Sequence, residues 1–331
     1  MITVNSSGLA ILLCILTMIG WGSWANTQKL AGRARWPFEL FYWDYAIGVA
    51  IMGAIFCFSF GMFGSAGMSS VANLGTASAS AIGRALGSGA LFNLANILLV
   101  AAIDSAGMAV AFPVGIGLAL VIGTAQSYIQ QPKGNPTLLF LGVACVLVAI
   151  IVSAATHAPI PKEAVSRKTS GLLWAVAAGL LMGFFYPQLM RAISPGFNTQ
   201  PIQPGALTPY VALLFFGCGV LVSSIPFNGW FMHSRGSHFS EYQTAPMSRH
   251  MPGIVGGFIW MIAMGLNVIA SGVAGPAVSY ALGQGATLVA ALWGVFVWRE
   301  FRDAPPRTNF LVVIMFIAYA AGLLLIGRAI Y

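Results

Sequence analysis

Ten stretches of about 20 mostly apolar residues follow one another along the chain, at 8–26, 41–62, 82–103, 107–129, 138–156, 170–190, 207–226, 252–272, 275–298 and 310–329. A helix of that length crosses about 30 Å of hydrocarbon. The connections differ in kind. Two are very short, Asp104-Ser-Ala-Gly107 and Gly272-Val-Ala-Gly275, and predict tight antiparallel hairpins. Three are longer: a Gly/Ser/Ala-rich loop at 63–81, a Pro-rich loop at 191–206 and a polar loop at 227–251.

Composition turns this pattern into a class. Only 7% of the residues are charged and 58% are hydrophobic, whereas a soluble domain carries roughly a quarter charged. So little charge cannot cover a water-facing surface. The pattern predicts an all-α polytopic membrane protein, placed in the plasma or inner membrane. Cys14, Cys57, Cys145 and Cys218 stand alone in apolar runs, without the paired spacing of a zinc or redox site.

The basic residues orient the chain. With loops assigned to alternate faces, eleven Lys and Arg fall on one side and four (Arg84, Lys133, Arg191, Arg328) on the other. The richer side is cytoplasmic by the positive-inside rule, which puts both termini outside the cytoplasm. No basic residue precedes the first span, so it reads as a retained helix rather than a cleaved leader. The net charge of +8 would suit nucleic acid in a soluble chain; in these connections it suits anionic lipid, with no nucleic-acid partner. Residues 27–41 then form a cytoplasmic connection at headgroup level, which accounts for its Trp, Lys and Arg but not for Asp44-Tyr45.

The chain repeats itself. AGMAVAFPVGIGLALV at 106–121 and AGPAVSYALGQGATLV at 274–289 agree at eight of sixteen columns, against roughly two expected by chance. Gly8-Leu9 and Gly20 of span one likewise meet Gly171-Leu172 and Gly183 of span six. Two five-span units, 1–156 and 170–331, joined by a cytoplasmic linker at 157–169, must lie inverted relative to one another because five is odd. Inverted repeats hold a solute near the midplane.

Candidate chemistry is uncharged at depth. All seven carboxylates fall at span ends or in loops, as do the four histidines, so a neutral solute is expected. His233, His238 and Glu241 have poor spacing for a metal, and no nucleophile and base converge, which argues against an enzyme. The spans instead offer aromatic and amide groups: Trp21 and Trp24, Asn93 and Asn96, Tyr186 and Gln188, Asn267, and Tyr280, Gln284 and Thr287. These can stack on a ring and exchange hydrogen bonds with amides, carbonyls or hydroxyls. Each can equally be interhelical glue or, for the tryptophans, an interfacial anchor. Pro113, Gly115 and Gly117, the matching Gly283 and Gly285, and Pro187 are candidate helix interruptions, or simple kinks. Asp44 and Asp104, at the cytoplasmic ends of spans two and three, could carry a proton if desolvated, or be solvated or Arg-paired helix-end groups.

GRARWPFELFYWDYAIG, GVACVLVAIIVSAATH and the block GGFIWMIAMGLNVIASGVAGPAVSYALGQGATLVAALWGVFVWREF resemble the ureide permeases, a branch of the drug/metabolite transporter superfamily beside the rhamnose/proton and glucose/ribose uptake proteins. The resemblance implies ten helices, with one to four and six to nine around a central site and five and ten outside. It also implies proton-linked uptake of ureides such as allantoin, of nucleobases such as uracil, or of monosaccharides, and gives weight to Asp44. Plant ureide permeases carry a long loop after helix five with a phosphate-loop motif; residues 157–169 hold no GxxxxGK[ST], so no ATP and no other cofactor is expected. The expectation is a secondary active importer, with ureide or nucleobase ahead of monosaccharide, export of lipophilic compounds and a non-transporting receptor as alternatives. A homodimer is compatible with it.

Overall fold

The computed structural model describes residues 1–64, 67–106, 108–156, 165–299 and 306–331, with backbone alone at 108–109 and 165–169. Most of the linker, from 157 to 164, and the Glu300-Phe301 pair lie outside them. Its helices are α1 (Ser7–Ser23), α2 (Ala25–Arg33), α3 (Phe38–Phe58), α4 (Ser70–Thr76), α5 (Ala79–Ala106), α6 (Met108–Gln130), α7 (Pro136–Thr156), α8 (Val165–Ala192), α9 (Pro209–Ser234), α10 (Phe239–Thr244), α11 (Met247–Ala274), α12 (Pro276–Gly283), α13 (Ala286–Leu292) and α14 (Pro306–Arg328). Ten membrane-length spans result among the described residues, with α1 and α2 as the first and α12 and α13 within the ninth.

The ten expected spans are all present, and several are longer than their apolar runs. Helices continue past the hydrocarbon because satisfying backbone groups within the helix remains favourable in the headgroup region. α9 reaches Ser234 and α11 starts at Met247, so the polar loop shrinks to a short strap around α10. The second of the short connections is tighter than a four-residue turn: α11 ends at Ala274 and α12 begins at Pro276, with Gly275 alone between them at φ 83°. Only a residue without a Cβ turns there without strain. Gly107 of the first short connection lies outside the described residues. α8 begins at Val165, inside the expected linker.

Outward faces carry large apolar side chains such as Leu12, Ile151, Phe296 and Leu324, as lipid contact requires. α3 packs on α9 and α11, α5 on α8 and α9, α1 on α11 and α13, and α6 on α8 and α12, while α7 and α14 pair with each other. In span numbers, exchanging every span with the one five places away maps these contacts onto one another. One-with-eight becomes six-with-three, and two-with-eight becomes seven-with-three.

The closest seams are made by backbone. A Cβ at Gly48 would lie 2.4 Å from the Ile254 carbonyl oxygen and one at Gly257 2.2 Å from that of Tyr45, joining α3 to α11. One at Gly89 would lie 2.2 Å from the Phe216 oxygen and one at Gly219 2.1 Å from that of Leu86, joining α5 to α9. Gly89 and Gly257 stand 168 positions apart, the same offset as residues 106–121 and 274–289. Small residues at such crossings let helices approach where lipid offers no hydrophobic drive.

Candidate solute site

Span nine is where the helical ladder breaks. After Gly283 the Thr287 N–H bonds the Gln284 carbonyl at 3.2 Å, not the Gly283 carbonyl that an α-helix would use, and the Thr287 hydroxyl donates to the same oxygen at 2.9 Å. Gly283 and Gly285 flank this break. α6, by contrast, runs through Pro113, Gly115 and Gly117, and α8 runs through Pro187. Their glycines serve packing: Gly179 of α8 rests on the Gly115 carbonyl.

Trp21 and Asn267 meet at Gly283. A Cβ on Gly283 would stand 2.6 Å from the Trp21 ring and 3.0 Å from the Asn267 amide nitrogen. That nitrogen donates to the Ser279 carbonyl at 2.7 Å. The Asn267 carbonyl oxygen and the Trp21 indole N–H are both buried without a hydrogen-bond partner. Such groups are costly in a low-dielectric interior unless something else satisfies them.

Aromatic rings enclose the pair. Trp21 stacks on Trp260 at 5.9 Å between centroids, and Trp260 stacks on Phe216 at 5.7 Å and meets Phe92 at 4.1 Å. Tyr186 and Tyr280 lie 4.9 Å apart. The Tyr186 hydroxyl shares a hydrogen bond with the Ser279 hydroxyl at 3.0 Å, and the Tyr280 hydroxyl donates to the Ala119 carbonyl at 3.2 Å. Trp21, Tyr186, Asn267 and Tyr280 thus converge, while Gln188 and Gln284 are half-buried on the same helices.

Other candidates lie elsewhere. Trp24 packs on Tyr45 at 4.9 Å, Tyr45 on Tyr42 at 5.2 Å, and the Asn96 amide donates to the Tyr42 hydroxyl at 3.4 Å, forming a second aromatic layer. The Asn93 amide nitrogen donates to the hydroxyls of Ser223 and Ser224 and the Val220 carbonyl, all on α9, while its side-chain oxygen, like that of Asn267, is buried without a partner. Asp104 is half-exposed and ion-paired with Arg235. Glu241 accepts from the His238 N–H and so caps α10.

A cavity of about 460 Å³ opens beside this centre, between the α1–α2 junction, α7, the end of span nine and α14. Gly22 and Thr287 form its inner wall; Asn26, Lys29 and Trp298 stand farther along. A π-helical turn at Trp293–Val297 presents both indoles to that junction. Trp293 donates to the Ser23 hydroxyl at 2.9 Å and Trp298 to the Asn26 carbonyl at 2.6 Å. The orphan pair and the cavity share adjacent residues, Trp21 and Gly22.

The sequence reading passed over three side chains. Trp260 is the hub of the aromatic core and was visible as a lone Trp in mid-span. Tyr242 and His250 converge on Asp44, which is 1% exposed: the Tyr242 hydroxyl donates to it at 2.6 Å, and His250 Nδ1 lies 3.0 and 3.1 Å from its two oxygens. Asp44 is therefore not solvated, and among the described residues it has no Arg partner. Burial first, then the Asp44 charge, pushes the Tyr242 phenol above its ordinary range, so it remains a donor.

Ten membrane-crossing helices around an uncharged, aromatic and amide centre make this an integral membrane protein of the permease class. The ureide permease family matches residues 41–169 and 161–327, and the chain belongs to that family. It is 24% identical to ureide permease 2 of Arabidopsis thaliana over 98% of both chains, and 23% identical to ureide permease 4 of the same plant over 97% of both. A probable ureide permease of Vigna unguiculata is 29% identical over 45% of this chain and 41% of its own. A crystal structure of a protein 15% identical superposes on 98% of this chain and 99% of its own with a TM-score of 0.60, a likeness of fold.

Proposed function

We propose that the protein is a secondary active importer of a small, polar, uncharged solute of the ureide or nucleobase class, coupled to protons and working by alternating access between two inverted repeats in the plasma or inner membrane. The observation that carries the reading is that Trp21 and Asn267, which both pack against Gly283, each carry a buried polar atom without a partner, an indole N–H donor and an amide carbonyl acceptor, among stacked rings. A cyclic ureide or a pyrimidine base carries alternating N–H and C=O groups on a flat ring, so it can answer both and lie against Trp21.

The absence of charge in this centre supports a neutral solute, since an intramembrane charge is retained where it has a charged partner to meet. The substrate class in the family's name agrees with this chemistry. The exchange symmetry of the helix contacts supports the inverted repeat, because two equivalent halves can alternate which end is closed. No catalytic role is part of this reading.

Uptake into proteoliposomes of labelled allantoin, uracil, rhamnose and glucose, with and without an inward proton gradient, tests it. Accumulation of allantoin or uracil that collapses with the gradient is expected. Uptake of a sugar alone, or of none of the four, overturns it.

A further inference from the structure

Three carboxylates at one end of the bundle each hold the same short segment. Asp104 of α5 pairs with Arg235, Glu39 of α3 accepts from the Ser237 hydroxyl at 2.6 Å, and Asp44 of α3 accepts from the Tyr242 hydroxyl at 2.6 Å. Residues 235–246, between α9 and α11, thus lie as a strap across the ends of spans two and three. The first of these anchors is a partly exposed ion pair, and the second ends on Glu39, which is 8% exposed. The third ends on a carboxylate that is 1% exposed and also bound by His250 of α11.

Close packing fixes that third anchor. A Cβ on Gly253 would fall 2.4 Å from the Asp44 Cβ, so α11 comes directly against the carboxylate one turn beyond His250. Trp36, 3% exposed, covers the cluster, 6.5 Å from the Tyr242 ring and 5.6 Å from the His250 ring. The neighbouring charges are otherwise engaged: Arg249 lies over Trp36 at 5.7 Å, Glu39 holds Ser237, and Lys29 and Arg33 of α2 lie over Trp298. From α9, Asn228 reaches only the Glu39 carbonyl.

We propose that Asp44 and His250 form the proton-binding site of the transport cycle, and that Tyr242 passes its charge state to the strap, which seals this end while Asp44 is ionised and lets go when Asp44 takes a proton. The proposal rests on the transport reading only for the cycle in which it operates. An ionised carboxylate accepts two charge-assisted hydrogen bonds, here from the phenol and from the imidazole. Adding one proton places an O–H where an acceptor was and removes the charge that strengthened both bonds. Span two, span eight and the strap meet at this one group, so its protonation is felt by all three.

A nitroxide on Gln243→Cys, exposed on α10, in full-length protein in nanodiscs reads the strap without solute; the labelled parent protein supplies the background of the native cysteines. The mobile fraction is expected to rise as pH falls from about 8 to 5, the range in which histidine and perturbed carboxylates titrate. Asp44→Asn should give a mobile label with no pH dependence. Tyr242→Phe, a milder change, should give the same mobility at high pH. His250→Gln should move the midpoint upward, because a ring nitrogen that meets both oxygens of the ionised carboxylate is gone. A flat parent profile, or a titration that persists in Asp44→Asn, overturns the proposal. If the label titrates while no ureide enters proteoliposomes, the latch stands and the solute reading falls; uptake with a flat label has the opposite meaning.

Discussion

Gly283 and Trp21 touch because Gly283 has no side chain: a Cβ there would overlap the indole at 2.6 Å. The benzo edge of the indole packs at the break in span nine, and its N–H, like the Asn267 side-chain oxygen, is buried without a partner.

Gly283→Ala should therefore displace Trp21 and abolish most uptake, by tenfold or more, while costing about 1–3 kcal/mol of stability. Solute uptake and the thermal midpoint of the purified variant, measured side by side, check it. Full uptake would mean that the indole is not part of the site.

Asn267→Ala removes one donor bond to the Ser279 carbonyl and the free acceptor. Interhelical hydrogen bonds in membranes average about 0.6 kcal/mol, so the folded protein should lose little. KM for the transported solute should rise about tenfold, which corresponds to 1.4 kcal/mol. A KM unchanged by the substitution would return Asn267 to interhelical glue.

Arg235→Ala should change thermal stability by no more than about 1 kcal/mol, since the pair with Asp104 is partly exposed on both sides. The same variant should leave the strap held by Ser237 and Tyr242. A loss of several kcal/mol in an unfolding curve would show that the surface anchor dominates.

A ligand that binds only the folded protein stabilises it by about 2.7 kcal/mol at a hundred times its Kd. A thermal-shift screen of ureides, nucleobases and monosaccharides should thus give a selective rise with a ureide or nucleobase, and that rise should vanish in Gly283→Ala.

Gln203 and Gln243, both exposed, lie in connections of opposite parity. Single cysteines there should react with a membrane-impermeant reagent from opposite faces of sealed cells, Gln203 from outside and Gln243 only after permeabilisation. The reverse pattern would invert the topology.

The spans were legible because a continuous apolar run has one physical solution in lipid, and each of the ten appears where its run lies. The site was legible only in part. Trp21, Asn267 and Tyr280 could be singled out as polar or aromatic groups in mid-span, but their meeting at Gly283 depends on which faces of α1, α11 and α12 turn inward, and no local pattern states that. Asn93 looked equally suited, and its amide nitrogen binds α9 while its oxygen stays unpartnered. His250 was missed for a different reason: Pro252 read as a helix boundary, whereas α11 begins at Met247 and carries the proline within it. Near a helix start a proline forfeits a single backbone bond, and the helix keeps its course.

The glycine seams between α3 and α11 and between α5 and α9 have a mechanical consequence. Where backbone rests on backbone, no rotamer must change for one helix to slip along another, and each Cα–H to carbonyl contact amounts to only about 0.5–1 kcal/mol. Such joints are tight against separation and yielding to shear. Because exchanging spans five places apart maps one seam onto the other, the same freedom to slide is built in twice.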